Sequence, residues 1–326
     1  MKKIILGIVL FMTGNGILLA QQDPIYSQYM FNGITLNPAY SGTKGVLNFN
    51  AIYRRQWIGI QGAPTTLTFS GDAPISKQKI GIGGFIQNDK LGAESRLSMY
   101  GTFAYKMPVS FSSSLSFGLA FGAFQYTLDG SKLVFNEKDG DQTAAANSGI
   151  SNAWKPDMRF GVYYNNDDFY AGFSVSNLFQ NTLTLTVGSA TRDLTFVRHY
   201  YFTTGYIFHV TDGLQIYPSI LVKEDFKSPT DIDINAFALI NKTIWLGTSY
   251  RTAMLMGKDK YGSVENYKNA LLFIVQVYLN ERIRVGYAYD IALNDLRAYT
   301  SGSHEISMAY LLPVSRRSRM LSPRYF

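Results

Sequence analysis

The sequence predicts an all-β protein, a transmembrane β-barrel of about 14 antiparallel strands. Three observations lead to this prediction. Apolar residues alternate with small or polar residues in many short segments. Short and long connections between these segments alternate along the chain. The composition, with 23 Tyr, 22 Phe and 29 Gly but only 16% charged residues, suits aromatic girdles around a barrel whose interior is lined in part by glycine.

The clearest alternation lies between residues 271 and 312. Leu271–Leu279, Ile283–Ile291 and Ile306–Leu312 each carry an apolar residue at every second position, while the opposite positions hold arginines, carboxylates, glycines and other small or polar residues. A soluble β-sandwich buries such an apolar face in a shared core, whereas a barrel in lipid turns it outward. Alternation alone therefore predicts strands and leaves both architectures open.

Eleven earlier segments show the same alternation, which brings the predicted total to about 14 strands. They run for roughly 8 to 11 residues, the length that a tilted strand needs to cross a bilayer. The segments are Leu47–Trp57, Leu67–Ala73, Ile80–Ile86, Leu97–Met107, Leu115–Ala123, Met158–Tyr164, Phe169–Val175, Tyr200–Phe208, Leu214–Val222, Ile232–Ile240 and Ile244–Tyr250.

The connections separate the two architectures. Every second connection is predicted to be a tight turn, and the others, which include Asn88–Glu94, are predicted to be loops at the opposite end. The three longest are Asp129–Lys155, Leu178–Val197 and Thr252–Asn269. Short periplasmic turns and longer outer loops are typical of outer-membrane barrels, whereas a Greek-key sandwich does not separate its loops by length. The loop pattern favours the barrel, with both termini in the periplasm.

The first residues predict export. Lys2 and Lys3 precede an apolar run, Ile4–Leu19, that is short and interrupted by Gly14-Asn15-Gly16. This pattern predicts a signal peptide cleaved after Ala20 and an outer-membrane location; a membrane-anchoring helix is the alternative. The chain contains no Cys, which excludes disulfides, thiol chemistry and a lipid-anchored N-terminal cysteine.

The net charge of +7 does not indicate a nucleic-acid partner. Two of these charges belong to Lys2 and Lys3 and four to arginines in the last 14 residues, which leaves +1 for the rest of the chain. Binding to nucleic acid requires a basic face on the fold itself. We therefore predict outer-membrane lipid as a partner and no nucleic acid.

No repeat or Pro-rich linker divides the mature chain. We predict a signal peptide over residues 1–20, an N-terminal segment that enters the lumen over 21–45, the transmembrane barrel over 46–312 and a basic periplasmic tail over 313–326. The segment is aromatic and does not alternate, and Asn37-Pro38 marks a turn within it.

No constellation of residues predicts catalysis, a cofactor or a metal. His199, His209 and His304 lack the spacing of metal ligands, and no Gly-x-Ser-x-Gly motif occurs. Asp231 with Asp233 could form paired acids, and Asp167-Asp168 or Asp139-Gly140-Asp141 could bind calcium. Solvated turns and lumen charges explain these residues more simply, so we predict that the protein is not an enzyme.

Charged residues are predicted to point into the lumen because they occupy the non-apolar face of their strands. Such mixed charges either line an open pore or close a lumen by pairing, and the sequence leaves both possibilities open. The inward arginines are Arg54, Arg96, Arg159, Arg251, Arg282 and Arg284, and the inward acids are Asp72, Asp231, Asp233, Asp290 and Glu305.

Four motifs near the chain ends resemble those of the PorP/SprF family of outer-membrane proteins, which belong to the type IX secretion and gliding-motility machinery of Bacteroidota. The motifs are Asp23–Asn32, Leu36–Gly42, Tyr53–Trp57 and Ser322–Phe326. The residues assigned to the family motif and to a lumen plug are Asp23, Pro24, Tyr29, Asn32, Asn37, Pro38, Ala39, Tyr40 and Gly42.

This resemblance implies a non-enzymatic barrel that works with type IX secretion components and with large adhesins bearing a C-terminal sorting domain. The long outer loops would contact the adhesin. Similarity to FadL-like barrels implies that residues 21–45 plug the lumen; a disordered periplasmic lead is the alternative. The tail would meet an acidic periplasmic or peptidoglycan-associated partner, or remain solvated, and its residues are Arg316, Arg317, Arg319, Arg324 and Phe326. The alternative function is an outer-membrane channel for small or hydrophobic solutes.

Overall fold

The computed structural model describes residues 26–75, 78–132, 150–187, 190–254 and 268–313. Within these ranges the chain forms 17 β-segments and several short 3-10 turns. The segments are β1 Leu47–Arg55, β2 Thr65–Ile75, β3 Ile80–Leu91, β4 Glu94–Pro108, β5 Ser114–Asp129, β6 Ile150–Asn165, β7 Phe169–Ser176, β8 Thr182–Val187, β9 Ala190–Thr195, β10 His199–Tyr206, β11 Phe208–Thr211, β12 Leu214–Glu224, β13 Thr230–Ile240, β14 Ile244–Met254, β15 Lys268–Tyr278, β16 Ile283–Ala292 and β17 Ser303–Leu312.

Fourteen antiparallel strands close into a barrel, as the sequence predicts. Each barrel strand pairs with the next barrel strand along the chain, with β7 paired to β10 across the β8–β9 hairpin, and β1 pairs with β17 to close the ring. β10 and β11 are two halves of one strand because both pair with β12. Pro218 of β12 lies at the level of the interruption, where it has no N–H to donate to the ladder. In the part of the chain that is described, no helix is long and apolar enough to cross a membrane.

The two faces of each strand differ in the sense expected for a membrane barrel. Outward side chains are apolar and exposed, with Phe49, Phe69 and Phe121 each about half accessible or more (48%, 53% and 59%). Inward side chains are polar and buried, for example Asn50 and Ser116. A soluble sandwich would bury the apolar face, so this inversion places the apolar band of the barrel against lipid.

The connections at the two ends differ in length. We call the end of the barrel at which β1 starts and β17 ends the inner end. Its connections are 76–79, 109–113, 166–168, 212–213, 241–243 and 279–282. The opposite, outer end carries 56–64, 92–93, 130–149, 177–198, 225–229, 255–267 and 293–302. Outer-membrane barrels keep their short turns in the periplasm, and by this rule we expect the outer end to face the cell exterior.

Two predictions at or near the connections were wrong, and a third, the loop over Leu178–Val197, was incomplete. The loop predicted over Asn88–Glu94 is a two-residue turn, because β3 and β4 remain paired as far as Leu91 and Glu94 and Gly92 adopts a positive φ of 58°. The loop predicted over Leu178–Val197 contains the β8–β9 hairpin. Arg282, predicted to point inward, lies exposed in an inner-end turn.

The β8–β9 hairpin packs on the outer end of the barrel. Leu183 and Phe196 are buried against Phe124 and Tyr126 of β5. The guanidinium of Arg96 lies 4.4 Å from the ring centre of Phe124, and its Nη2 donates to Asn177 Oδ1 over 3.0 Å. The hairpin is therefore attached to the barrel wall by an apolar cluster and an inward-facing arginine.

Candidate functional site: the barrel interior and the N-terminal segment

The barrel interior contains the chain that precedes β1. We call Tyr26–Val46 the N-terminal segment; three 3-10 turns, Tyr29–Phe31, Gly33–Thr35 and Pro38–Tyr40, are its regular structure. Apart from Gly33, Leu36 and Gly45, every residue of the segment is buried. Its hydrogen-bond partners are inward-facing groups on many strands. The segment therefore lies within the ring of strands.

The Asn37–Tyr40 turn anchors the segment to β6 and β7. Asn37 Oδ1 accepts from Ala39 N (2.9 Å), and Pro38 occupies the first position of the turn, where its missing N–H is not needed. The amide nitrogen of Asn37 donates to the carbonyls of Val162 and Phe173. One side chain thus shapes the turn and joins it to two strands.

Other residues of the predicted motif also contact the barrel. Tyr29 Oη accepts from Asn235 Nδ2 over 2.7 Å, and Asn32 Oδ1 accepts from Ser70 Oγ over 2.7 Å. Tyr40 packs edge-on against Tyr163, with ring centres 5.5 Å apart.

Gly42 brings the chain back to the inner end of the barrel. It has a positive φ of 73°, which glycine adopts without strain, and its N–H donates to Asp72 Oδ2 over 2.8 Å.

Inward-facing glycines make room for the inner part of the segment. A Cβ on Gly118 would lie 2.1 Å from Ala39 N, one on Gly81 would lie 1.8 Å from Ser41 O, and one on Gly161 would lie 2.0 Å from Asn37 Oδ1. No side chain fits at these distances. The three glycines lie on β3, β5 and β6 near the inner end, so the barrel wall there is shaped to the backbone of the segment.

Charged groups hold the outer part of the segment. Glu305 is fully buried, and its two carboxylate oxygens accept separately from Ser27 N and Gln28 N, each over 2.8 Å. Arg54, directly opposite Glu305 in the register, contacts Glu305 over 3.0 Å and Asp290 over 2.5 Å.

Ser27 Oγ completes this cluster. It donates to Asp290 and accepts from Arg54. The cluster spans β16, β17 and β1, the strands at which the barrel closes, and each carboxylate is matched by donors.

A second cluster pairs charges between strands of the barrel. Arg251 donates to both carboxylate oxygens of Asp233, over 2.8 and 3.1 Å. Lys223 lies 3.7 Å from Asp233 and 4.0 Å from Asp231. The paired aspartates therefore have cationic neighbours, an arrangement that neutralises the interior charge.

Two further arginines bind carbonyl groups of the segment. Arg159 Nη1 donates to Thr35 O over 3.0 Å while its guanidinium stacks 4.3 Å from the ring centre of Tyr100. Arg284 Nη2 donates to Phe31 O over 3.3 Å. The sequence analysis predicted that these arginines point inward because they lie on the non-apolar face of their strands. It did not predict that they donate to the segment.

Lys44 adds a buried amine just before β1. Its Nζ donates to Phe31 O over 3.1 Å. Burial, and to a smaller extent the positive charge of Arg284, lower the pKa of Lys44 to about 7 against the opposing effect of the negative charge of Asp72. The sequence analysis did not single out this residue.

Other predicted candidates lie apart from these contacts. Within the described ranges, no group of three or more His, Asp or Glu residues is arranged to hold a metal ion. His209 contacts Asp168 at an inner turn, and His304 contacts Tyr287 on the outward face. Asp139 and Asp141 lie outside the described residues, as do Asp23, Pro24, Arg316, Arg317, Arg319, Arg324 and Phe326.

The family model described as the type IX secretion system membrane protein PorP/SprF matches residues 18–310. The chain belongs to the PorP/SprF family. Family and fold together make this PorP/SprF protein an outer-membrane β-barrel associated with the type IX secretion system. No curated protein matches its sequence.

Solved structures resemble the PorP/SprF chain in fold. The Ralstonia pickettii toluene transporter TbuX is 12% identical, with 86% of this chain and 93% of that chain covered and a TM-score of 0.50. The Pseudomonas putida toluene transporter TodX is 11% identical, with 90% and 95% covered and a TM-score of 0.49. A Pseudomonas aeruginosa FadL homologue is 10% identical, with 90% and 95% covered and a TM-score of 0.45. At 12% identity, the comparison with TbuX concerns the fold alone.

Proposed function

We propose that this chain is a non-enzymatic barrel, closed by its N-terminal segment, that supports export or surface attachment of large adhesin-type cargo with a C-terminal sorting domain in gliding-related type IX secretion. One observation carries the proposal. Inward-facing groups bind the segment from Glu305 near the outer end to Asp72 near the inner end. A lumen occupied in this way favours a protein that acts through surfaces at its two ends.

The chemistry of the interior argues against the alternative, a channel for hydrophobic solutes. A path for such solutes needs an apolar lining with few polar groups. Here the interior carries paired charges such as Arg54 with Glu305 and Arg251 with Asp233. Transport of toluene is what the name of TbuX states for that protein; a shared barrel does not extend that activity to this chain.

The outer surface is the proposed contact for the secreted adhesin. The β8–β9 hairpin is a folded part of this surface, because Leu183 and Phe196 attach it to the barrel. Residues 133–149 and 255–267, which belong to two other outer connections, lie outside the described residues. We assign the adhesin to this end because the outer loops face the cell exterior, where an exported protein arrives.

The basic tail is the proposed contact for a periplasmic partner. Its four arginines follow β17, which ends at the inner end of the barrel. An acidic periplasmic or peptidoglycan-associated protein has the complementary charge. Truncation after Pro313 should remove this partner from the purified complex and leave the adhesin bound.

Two measurements test the proposal. First, planar-bilayer conductance of the wild-type barrel should be at the background level, and deletion of residues 23–41 should give open channels. Second, a tagged copy purified from outer membranes in mild detergent should bring down secretion components and a large adhesin, identified by mass spectrometry.

A variant of the tagged copy tests the role of the β8–β9 hairpin. Replacement of the hairpin by a short Gly-Ser linker should remove the adhesin and retain the secretion components.

The matched control for the deletion is a three-residue change in the exposed turn 110–112, which contacts no part of the lumen. If the wild-type barrel conducts and purifies without partners, the channel function replaces the one proposed here. If the wild-type barrel is closed but no adhesin is recovered under any detergent condition, closure stands and the cargo assignment fails.

A further inference from the structure

The outward face of the barrel carries a basic row at its outer edge. Arg55 ends β1, and in the register it lies opposite His304 of β17 on one side and opposite Thr65 of β2 on the other. Thr65 in turn lies opposite Lys90 of β3. Neighbouring strands are about 4.8 Å apart, so Arg55 and Lys90 are roughly 10 Å apart at the backbone.

These residues lie at the upper limit of the lipid-facing band. From Arg55 toward the inner end, the same face carries Tyr53 and Phe49. From Lys90 toward the inner end, it carries Ile86. All three are exposed apolar or aromatic side chains. The apolar band of such a barrel matches the hydrocarbon core, with aromatic girdles at its edges. The basic row therefore lies at the level of the lipid headgroups in the outer leaflet.

The row has no acidic neighbour on its own face. The outward positions of β17, β1, β2 and β3 carry no Asp or Glu. The nearby acids Glu305 and Asp89 point inward, to Arg54 and to Thr66. Both basic side chains are exposed. An anionic group that approaches from the membrane therefore meets uncompensated positive charge.

The loops above the row are bonded to one another. Ile58 N donates to Gly302 O and Ser301 N donates to Ile58 O, both over 2.8 Å. Gly92 N donates to Gly62 O over 2.8 Å. The loop 56–64 is thereby attached to both neighbouring connections, which holds the ends of β1, β3 and β17 in a fixed arrangement.

We propose that Arg55 and Lys90, with the His304 imidazole beside them, form a binding site for the phosphate of an outer-leaflet glycolipid. A guanidinium binds phosphate through two parallel N–H donors, and an ammonium adds a point charge. The Nδ1 of His304 is in contact with Tyr287 Oη, which leaves Nε2 as the ring nitrogen available to the lipid. The site follows from the fold and its orientation and does not depend on the proposed cargo.

The test uses the full-length protein in detergent with lipid A as the probe. Phosphorylated lipid A should raise the unfolding temperature of the wild type, followed by heat-modifiable migration on gels, more than enzymatically dephosphorylated lipid A does. Arg55→Gln with Lys90→Gln should weaken binding of the phosphorylated form roughly tenfold to thirtyfold, since each basic residue near a charged headgroup contributes on the order of 1 kcal/mol.

The matched control is Lys242→Gln with Arg282→Gln, which removes two exposed basic residues from inner-end turns and should bind as the wild type does. Arg55→Lys with Lys90→Arg keeps both charges and should retain most of the binding, even if the glutamine variant folds poorly. Native mass spectrometry should show phosphorylated lipid on the wild type. Equal stabilisation by both forms of lipid A, equal loss in the inner-end control, or full replacement by inorganic phosphate would overturn the assignment.

Discussion

The two parts of the N-terminal segment are held in the barrel by different forces. The inner part, Asn37–Gly42, lies against glycines whose missing side chains make room for its backbone. The outer part, around Ser27 and Gln28, is bound through the buried charges of Arg54, Asp290 and Glu305. The inner contact is therefore sensitive to volume, and the outer contact is sensitive to charge.

This difference shows how one barrel can bind an irregular chain without a conventional core. A backbone that is not part of a sheet must find partners for its N–H and C=O groups wherever it is buried. At the outer end, the Glu305 carboxylate accepts from Ser27 N and Gln28 N. Closer to the middle and the inner end, Arg159 and Arg284 donate to the carbonyls of Thr35 and Phe31. At the inner end, Gly42 N donates to Asp72, and close approach lets the side-chain amide of Asn37 donate to the strand carbonyl of Val162.

The largest effect is expected from Gly118→Leu. Its side chain would occupy the space of the Ala39 backbone, and overpacking against backbone cannot be relieved by a rotamer change. We expect the inner part of the segment to be displaced, with a loss of at least about 3 kcal/mol and open-channel conductance in planar bilayers.

Gly101→Leu is the matched control for this change. Gly101 lies on the neighbouring strand but faces outward, where a Cβ would come no closer than 4.0 Å to another atom. It should remain closed and as stable as the wild type. Equal behaviour of the two variants would show that the inner glycines do not shape the lumen around the segment.

The next effect separates charge from shape. Glu305→Gln preserves volume, yet one of its two carboxylate acceptors becomes an NH₂ group that must face Ser27 N, Gln28 N or Arg54. Loss of one partner in a buried ion pair costs about 3 kcal/mol. We expect a lower unfolding temperature in detergent, whereas Glu281→Gln in an exposed turn should leave it unchanged. An unaltered unfolding temperature in the Glu305 variant would refute the role of charge at the outer part.

A smaller effect is expected from Asn37→Ala. The change removes the cap on the turn and the donor to β6 and β7, and it should cost about 1 to 2 kcal/mol. Asn152→Ala, at an exposed position of β6, provides the control. Chemical unfolding of both variants would give the difference directly, and an equal midpoint for the two would exclude an anchoring role for Asn37.

The last effect is a dependence on pH. Lys44 has a pKa of about 7 when the segment is docked and 10.5 as an ordinary lysine. Between pH 7 and pH 10.5, the Lys44 amine is protonated when the segment is undocked and neutral when it is docked. Docking therefore releases a proton and becomes stronger as pH rises through this range. Below pH 7 the amine is protonated in both states, and docking does not depend on it. The rise in unfolding temperature from pH 7 to pH 9.5 should be smaller in Lys44→Met than in the wild type; identical rises would contradict the shift.

The sequence predicts the strands because each has to present one face to lipid and the other to the interior, and this requirement produces alternation. It also predicts the inward direction of Arg54, Arg159 and Arg284 from strand phase. Arg282 was assigned inward by the same reasoning, but the strand begins one residue later, at Ile283. Strand phase is not informative once a residue belongs to a turn.

Other features depend on contacts between distant parts of the chain. The positions of Gly81, Gly118 and Gly161 are visible in the sequence, but which atoms of the segment meet them is decided by the closed barrel. The β8–β9 hairpin did have a local signal, since Thr182–Val187 alternates strictly and Gly188-Ser189 follows. The hairpin was missed because Leu178–Val197 was interpreted only as a long loop.

The most direct test of the central claim is hydrogen–deuterium exchange of the folded wild-type protein, read at peptides that cover residues 26–46. If the segment is part of the folded interior, its amides should exchange as slowly as those of the barrel strands, although it has no strand partner. Exchange of these peptides within seconds, at the rate of the exposed inner-end turns, would contradict the account.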